Sequence, residues 1–527
     1  MKALDASLLR QLAEPDLRQL LRAGLRGIER ETLRVTPDGQ IAQTPHPAAL
    51  GAALTHPHIT TDYSESLLEL VTSPAVSVSD AWQQLHDIHA FVYSNLDDEM
   101  LWSTSMPCLL GGDEEIPIAE YGSSNVGRMK HVYRQGLAYR YGRTMQVISG
   151  VHFNYSVPVG LWPVLKQIEQ DVRPLRDYID ARYFDLLRNF QRVGWLILYL
   201  FGSSPAVCKS FFAGRPQSLT QFDEHTVYGP YATSLRMSDI GYNNTSQANL
   251  DISYNNLADY VAGLEYAIHT PYPPYERVGV RALAEGAQTG EYNQLSTSIL
   301  QIANEYYSFA RPKQIALTGE KPTLALRRRG VAYIEVRALD VDPFSPTGVS
   351  KETMHFIECL LLSCLFAESP PADSEERRES QFNHSRAACC GRTPGIRLVD
   401  GGKERDLQEW AVEIIESLLP LAELLDTAGD GRYSASIKAG LAQAQNPDTL
   451  PSAHILNEMC ESQESFFEFA LRYSRLHQAT FGGLTPDAAL LERFAGMAHQ
   501  SHRRQAEIEA ADACSFEEYL EIYFAQA

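Results

Sequence analysis

The chain has 527 residues, of which 44% are hydrophobic and 21% charged, with a formal net charge of -21 at pH 7. This is the profile of a soluble globular protein with length for about two to four ordinary domains. The acidic balance argues against general binding to nucleic acid or to an anionic membrane, both of which attract basic surfaces. Near the start, Leu8, Leu9, Leu12, Leu17, Leu20 and Leu21 recur at near-helical spacing between charges. That predicts an amphipathic surface helix interrupted near Pro15, and not a signal peptide with an unbroken apolar segment. Residues 80–96 and the long run 161–202 read as helical. The most apolar runs, 193–202 and 356–367, fall short of the ~20 residues a membrane span needs and are expected as buried helices.

Residues 236–249, rich in Gly, Asn and Ser, read as a flexible loop, and so does the charged, proline-containing stretch 367–380. Beyond it, apolar residues recur at helical periods over 407–426, 434–445 and 451–476 and in a final helix pair. The expected organisation is an α+β catalytic core over residues 1–350. A mainly helical region, 351–527, packs on it as part of one interdependent unit. The eight cysteines, at 108, 208, 359, 364, 389, 390, 460 and 514, form no CxxC and no Cys/His cluster with zinc-ligand spacing. Reduced thiols in a cytoplasm are the expectation, with Cys389 and Cys390 as two small packed residues.

Four short stretches set polar or ionisable side chains at alternating positions. They are Glu29 and Glu31 in GIERETLRV, Asp62 to Glu69 in TTDYSESLLEL, His152 and Asn154 in GVHFNYSV, and Glu335 and Arg337 in AYIEVRALD. Side chains alternate between the faces of a strand, so in the first, third and fourth stretches the polar residues share one face while Ile334/Val336 or Phe153/Tyr155 fill the other. A face with so many carboxylates does not pack as a core, because each buried carboxylate costs several kcal/mol unless paired. Cations are the simplest remedy. Glu29, Glu31, Asp62, Glu69 and Glu335 with His152 form an oxygen-rich set suited to Mg²⁺ or Mn²⁺.

No GxxxxGK[ST] P-loop and no GxGxxG after a strand is present. If ATP is handled, metals and side chains must hold its phosphates, and Arg337 is placed to meet a transferring phosphoryl group. Taken singly, each motif reads as a solvated face with an ion pair, Glu335 and Arg337 above all. His152 alone reads as a hydrogen-bonded core histidine. Repetition of the design favours a metal-lined cradle on an antiparallel sheet.

These stretches, with YRQGLAYRYG…MQVISGVHFNYS, PYATSLRMSDIGY and YIEVRALDVDPFSP, run in order from about residue 20 to 350. Together they resemble the glutamate–cysteine ligase family of the proteobacterial type. The resemblance implies a fold related to glutamine synthetase, a curved antiparallel sheet forming a funnel surrounded by helices. It also implies ATP-dependent joining of the γ-carboxylate of L-glutamate to the amine of L-cysteine through γ-glutamyl phosphate, the first step of glutathione synthesis. ATP is then the co-substrate, with two or three Mg²⁺ ions, or Mn²⁺ in their place.

Carried over position by position, Glu29, Asp62 and Glu335, with Glu31, Glu69 and His152, match the family's Mg²⁺ and nucleotide-phosphate ligands. Arg337 matches the arginine near the transferred phosphate. Tyr133, Leu137, Gln146, Ile148, Arg236, Tyr242 and Tyr307 align with the amino-acid pocket, and Tyr63 stands where the family often has phenylalanine. Asn154 is counted with these substrate-binding residues. Tyr242 lies in the Gly/Asn-rich loop, which in similar enzymes closes over cysteine. Ala303 stands where an acidic residue is expected, while Glu305, Tyr307 and Arg311 keep the pattern. Two rival readings are a related ligase with another amine acceptor and a non-catalytic nucleotide- or cation-binding regulator. No nucleic-acid or membrane partner is expected, and a monomer is favoured.

Overall fold

The stretches of alternating polarity become strands of one antiparallel sheet in the computed structural model, which describes residues 6–107, 109–241, 245–247, 250–281, 291–426, 430–484 and 487–526. In chain order the strands are β1 (Leu25–Val35), β2 (Ile59–Thr61), β3 (Leu67–Val71), β4 (Met100–Leu101), β5 (Gly150–Ser156), β6 (Ala310–Lys313) and β7 (Tyr333–Asp340). Across the sheet they run β2–β3–β1–β5–β7–β6, with β4 paired to the end of β1. Pro312 sits in the edge strand β6, where its missing N–H costs least.

Register decides what the sheet presents. Glu31 lies opposite Glu69, Glu29 opposite His152, and Glu335 opposite both Asn154 and Arg311. One face therefore gathers polar side chains from neighbouring strands. The other buries Ile28, Leu70, Phe153, Tyr155, Ile334 and Val336 in the main hydrophobic core. Each such side chain contributes about 1.5–3 kcal/mol when removed from water, so a one-residue slip, which would exchange the faces, is strongly disfavoured. A register shift between Val336 and Leu339 places Arg337 in an irregular part of β7. Its N–H donates to Phe309 O at 3.0 Å instead. Irregularities of this kind re-aim a side chain.

The helices used below are α1 (Asn125–Tyr141), α2 (Leu175–Val193), α3 (Lys351–Phe366), α4 (Ser374–Cys390), α5 (Leu407–Leu425) and α6 (Phe516–Ala525). Every residue of α3 from Met354 to Phe366 is buried, as are Trp195 to Leu200, so both apolar runs are core helices. No helix among the described residues is long and apolar enough to cross a membrane. The main core draws on residues from Leu12 to Phe494 and so spans both sides of residue 350.

Two expectations are corrected in detail. The run 161–202 is three helices, Leu161–Ile168, α2 and Trp195–Phe201, parted before Leu175 and at Gly194. The expected loop 367–380 ends early, because Asp373 caps α4 by accepting from Glu375 N and Glu376 N at 3.0 and 2.9 Å. Glu375 and Glu376 then sit in the first turn, where acidic charge complements the helix dipole. Composition read as a loop what is a helix start. Near the beginning, the interrupted helix is Ala6–Leu12 followed by Pro15–Leu21, with Pro15 opening the second segment. Cys389 and Cys390 lie unbridged at the end of α4, Sγ to Sγ 2.9 Å. Cys108 lies outside the described residues.

Candidate active site

The polar face of the sheet is the floor of a cavity of about 460 Å³. Glu29 and Glu31 of β1, Glu69 of β3, His152 of β5 and Glu335 of β7 rise from it, and Asp62 enters from the turn after β2. His152 is the hub. Its Nδ1 lies 3.1 Å from Glu29 Oε2 and 3.8 Å from Glu335 Oε1, and its Nε2 lies 3.6 Å from Glu31 Oε1. Ligand atoms of Glu29, His152 and Glu335 all fall within 4.8 Å of one another. Asn154 does not line the cavity but donates from Nδ2 to Glu29 Oε1 at 2.8 Å, fixing that carboxylate. Glu31 Oε2 accepts from Gly150 N at 2.7 Å.

Charge is distributed unevenly along the floor. At the β6–β7 end, Lys313 Nζ and Arg337 Nη1 each lie 3.3 Å from Glu335 Oε1. Burial works to raise the Glu335 carboxyl, but Lys313, Arg337 and His152 outweigh it and hold the group well below the usual carboxylate range. At the β1–β3 end the sign reverses. Burial, joined by Glu29, Asp62 and Glu31, pushes the Glu69 carboxyl well above its ordinary value. Glu31 is also raised, by burial and then Asp62, against the opposing pull of His152. For Glu29, burial is overcome by the His152 hydrogen bond, and the carboxyl ends up lowered.

One end of the floor thus has too many carboxylates for its cations, and the other is rich in Lys and Arg. Of the residues lining the cavity, Glu335 Oε2 and His152 Nε2 are buried without a hydrogen-bond partner. Hard oxygens, one imidazole and unsatisfied lone pairs in a single hollow are the donor set of Mg²⁺ or Mn²⁺, so the residues present fit such an ion.

The remaining walls come from other elements. Tyr133 and Leu137 of α1 face the cavity with Tyr63, Gln146, Ile148 and Tyr307. Tyr307 and Gln146 hydrogen-bond side chain to side chain at 2.9 Å, and burial raises the Tyr63 and Tyr133 hydroxyl pKa values. Gln247 ties the wall together, accepting from Tyr307 N at 3.0 Å and donating to Glu305 O at 2.9 Å. Glu305 is itself buried and paired with Arg140 at 2.9 Å.

Arg236 stands apart from the lining. It is 1% exposed and packs over Gly150, where a Cβ would meet its Nη2 at 2.1 Å. That Nη2 donates to Arg337 O at 3.0 Å, so Arg236 holds the backbone of β7 at Arg337. Tyr242 lies outside the described residues.

Lys130, Arg134, Arg311 and Lys313 also face the cavity, and sequence reasoning did not single them out as site residues. For Arg311 and Lys313 a signal existed: they alternate in ARPK just as Glu335 and Arg337 do in β7. Lys130 and Arg134 are one helical turn apart on α1, a spacing shared by countless solvated helix faces.

The candidate site is thus a charged face of the sheet, in a chain without a glycine-rich phosphate loop. The chain belongs to the glutamate–cysteine ligase family: the model of that family, described as glutamate-cysteine ligase, matches residues 9–387. A glutamate–cysteine ligase of Alcanivorax borkumensis is 48% identical over 504 residues, covering 95% of this chain and 96% of the relative. A crystal structure of glutamate–cysteine ligase from Francisella tularensis in complex with AMP superposes with TM-score 0.89 at 39% identity, over 95% of this chain and 97% of that one. A bifunctional glutathione synthetase from Pasteurella multocida shares the fold, with TM-score 0.72 at 24% identity over 93% of this chain and 58% of that one. The family match extends past both ends of the motif-bearing stretch.

Proposed function

We propose that the chain joins the γ-carboxylate of L-glutamate to the amine of L-cysteine at the expense of ATP, giving γ-glutamylcysteine, ADP and phosphate. One observation carries the mechanism: Glu29, His152 and Glu335 converge within 4.8 Å while Lys313 and Arg337 stand beside them. A carboxylate does not acylate an amine unaided, because oxide is a poor leaving group. A γ-carboxylate oxygen therefore attacks the γ-phosphorus of ATP, ADP departs with the electron pair of the broken P–O bond, and an acyl phosphate forms. The cysteine nitrogen then attacks the acyl carbon, phosphate leaves with the C–O pair, and the nitrogen gives up a proton.

Glu29, Glu31, Asp62, Glu69, His152 and Glu335 are the residues to hold Mg²⁺, which when bound supplies charge neutralisation at the phosphate oxygens. Arg311, Lys313 and Arg337 set positive charge against the phosphoryl group at the other end of the floor. Arg337 acts from a fixed position, with its N–H on Phe309 O and its own carbonyl held by Arg236. Tyr63, Tyr133, Leu137, Gln146, Ile148 and Tyr307 form the amino-acid end, where a largely apolar wall keeps water from the acyl phosphate. In this reading residues 1–350 carry the chemistry, residues 351–527 support it within the same unit, and the enzyme works as a cytoplasmic monomer.

Hydroxylamine supplied with ATP, Mg²⁺ and glutamate tests the reading. The expected product is γ-glutamyl hydroxamate; its absence from active, folded protein overturns the assignment. Amino-acid-dependent ADP release with cysteine, 2-aminobutyrate and alanine then tests the acceptor, and equal rates with cysteine and alanine would favour a different amine substrate.

A further inference from the structure

One wall of the cavity is supplied by a helix that lies beyond the residues matched by the family model and carries none of the motifs. Tyr523 of α6 faces the cavity together with Ile302, Ala316 and Pro322. Ile302, Pro322 and Tyr523 also meet in a small adjoining pocket, so they are immediate neighbours. Fastenings on both sides hold the helix. On one side Lys321 Nζ donates to Phe524 O at 2.8 Å and to Gln526 O at 2.9 Å, and Lys321 N donates to Gln526 Oε1 at 3.0 Å. Gln526 Nε2 returns a bond to Gly319 O at 2.6 Å.

On the other side, Asn125 at the start of α1 donates from its backbone N–H to Asp512 Oδ2 at 2.6 Å and from Nδ2 to Cys514 O at 3.0 Å. The Arg128 guanidinium stacks 4.4 Å from the Phe516 ring, and Phe516, Leu520 and Tyr523 bury against Met129 and Val132 of α1. Helix α6 therefore clasps two walls of the cleft, α1 and the segment 316–322.

The chemistry of that end differs from the floor. Lys313 stands beside Glu335 at the floor, the apolar Ala316 and Pro322 follow it in the chain and line the same cavity, and Ile302 and Tyr523 neighbour Pro322 there. A nucleoside triphosphate gripped by its phosphates at the floor must put its base on a surface that accepts a flat, apolar ring, and aromatic side chains do this without regard to hydrogen-bond pattern. We propose that α6 closes the nucleotide end of the cleft, with Tyr523 as the base-positioning residue and the Lys321–Gln526 fastening as its lock. This rests on the ATP-dependent reading above and extends it to the purine-binding end of the site.

The test is a full-length Tyr523→Ala protein with KM measured separately for ATP, glutamate and cysteine. The expected result is a rise of about 10-fold in KM for ATP, with both amino-acid KM values within about 2-fold of wild type. Tyr523→Phe restores the wild-type value, and Lys321→Met moves the ATP KM in the same direction as Tyr523→Ala. An unchanged ATP KM, or an equal rise for all three substrates, overturns the proposal and leaves α6 a packing element. If Tyr523→Ala does not fold, Tyr523→Leu, which keeps bulk and removes the ring, is read the same way. Wild-type protein that makes no hydroxamate defeats the parent reading instead, so the two failures are distinguishable.

Discussion

On the core side of the sheet, Arg26 meets Glu358 through Nε at 3.1 Å and through a second bond from Nη2, and both side chains are fully buried. On the cleft side, Glu31, Asp62 and Glu69 crowd together with too few cations, and two of the three carboxyls are pushed up. Both faces bury charge, but the Arg26–Glu358 pair balances its own. Arg26 spends its remaining Nη1 on Gly24 O, at 2.6 Å, and on Val76 O, so the pair needs nothing from outside. The cleft leaves Glu335 Oε2 and His152 Nε2 without hydrogen-bond partners. A buried pair that is complete in itself serves as scaffold, whereas unbalanced carboxylates lining a cavity suit a ligand.

The contrast can be broken from either face. Glu358→Ala should give the largest change, a loss of about 3–5 kcal/mol in unfolding free energy, because Arg26 is left buried and unpaired. Denaturant melts report it, and kcat of the folded fraction should stay near wild type. Glu335→Gln should do the reverse, lowering kcat by about 10²–10³-fold while the melt changes little. If each substitution moved both quantities alike, the distinction between the faces would fail. Mg²⁺ added without substrates should stabilise wild type by about 2.7 kcal/mol at a hundredfold excess over its Kd, and Glu335→Gln by less. Thermal shift against Mg²⁺ concentration measures this directly.

A third way of burying a titratable group is to keep it neutral. His384 stacks on Phe309 with ring centroids 4.1 Å apart, and burial holds its pKa down at about 4, against the smaller opposing effect of a hydrogen bond to the Gln191 backbone. The unfolded chain takes up a proton near pH 6.5 while the folded chain does not until about pH 4. Stability is therefore full above pH 6.5 and falls as pH drops between those values, by at most about 1.4 kcal/mol per unit. His384→Phe should flatten the slope of melting temperature between pH 7 and 5; an unchanged slope would assign the acid sensitivity elsewhere.

The floor of the site was legible because strand periodicity is rigid. Knowing that Glu29 and Glu31 share a face, and that His152 and Asn154 do, leaves the pairing order open, while family resemblance implied that these residues meet in one site. Arg236 shows where such reasoning stops. Nothing local in the sequence tells that Arg236 packs over Gly150 and donates to the carbonyl of Arg337. Lys130 and Tyr523 were invisible for a related reason, since their place depends on α1 and α6 docking against segments far away in the chain. Asp373 was misread because a capping aspartate and a loop aspartate look alike until the helix after it is known.

The fastening of α6 to Lys321 and Asn125 also orders events in time. Ribosomes add about 5–20 residues per second, so Glu29 emerges on the order of 25–100 s before Tyr523 does. Through that interval the acidic strands exist without their last wall.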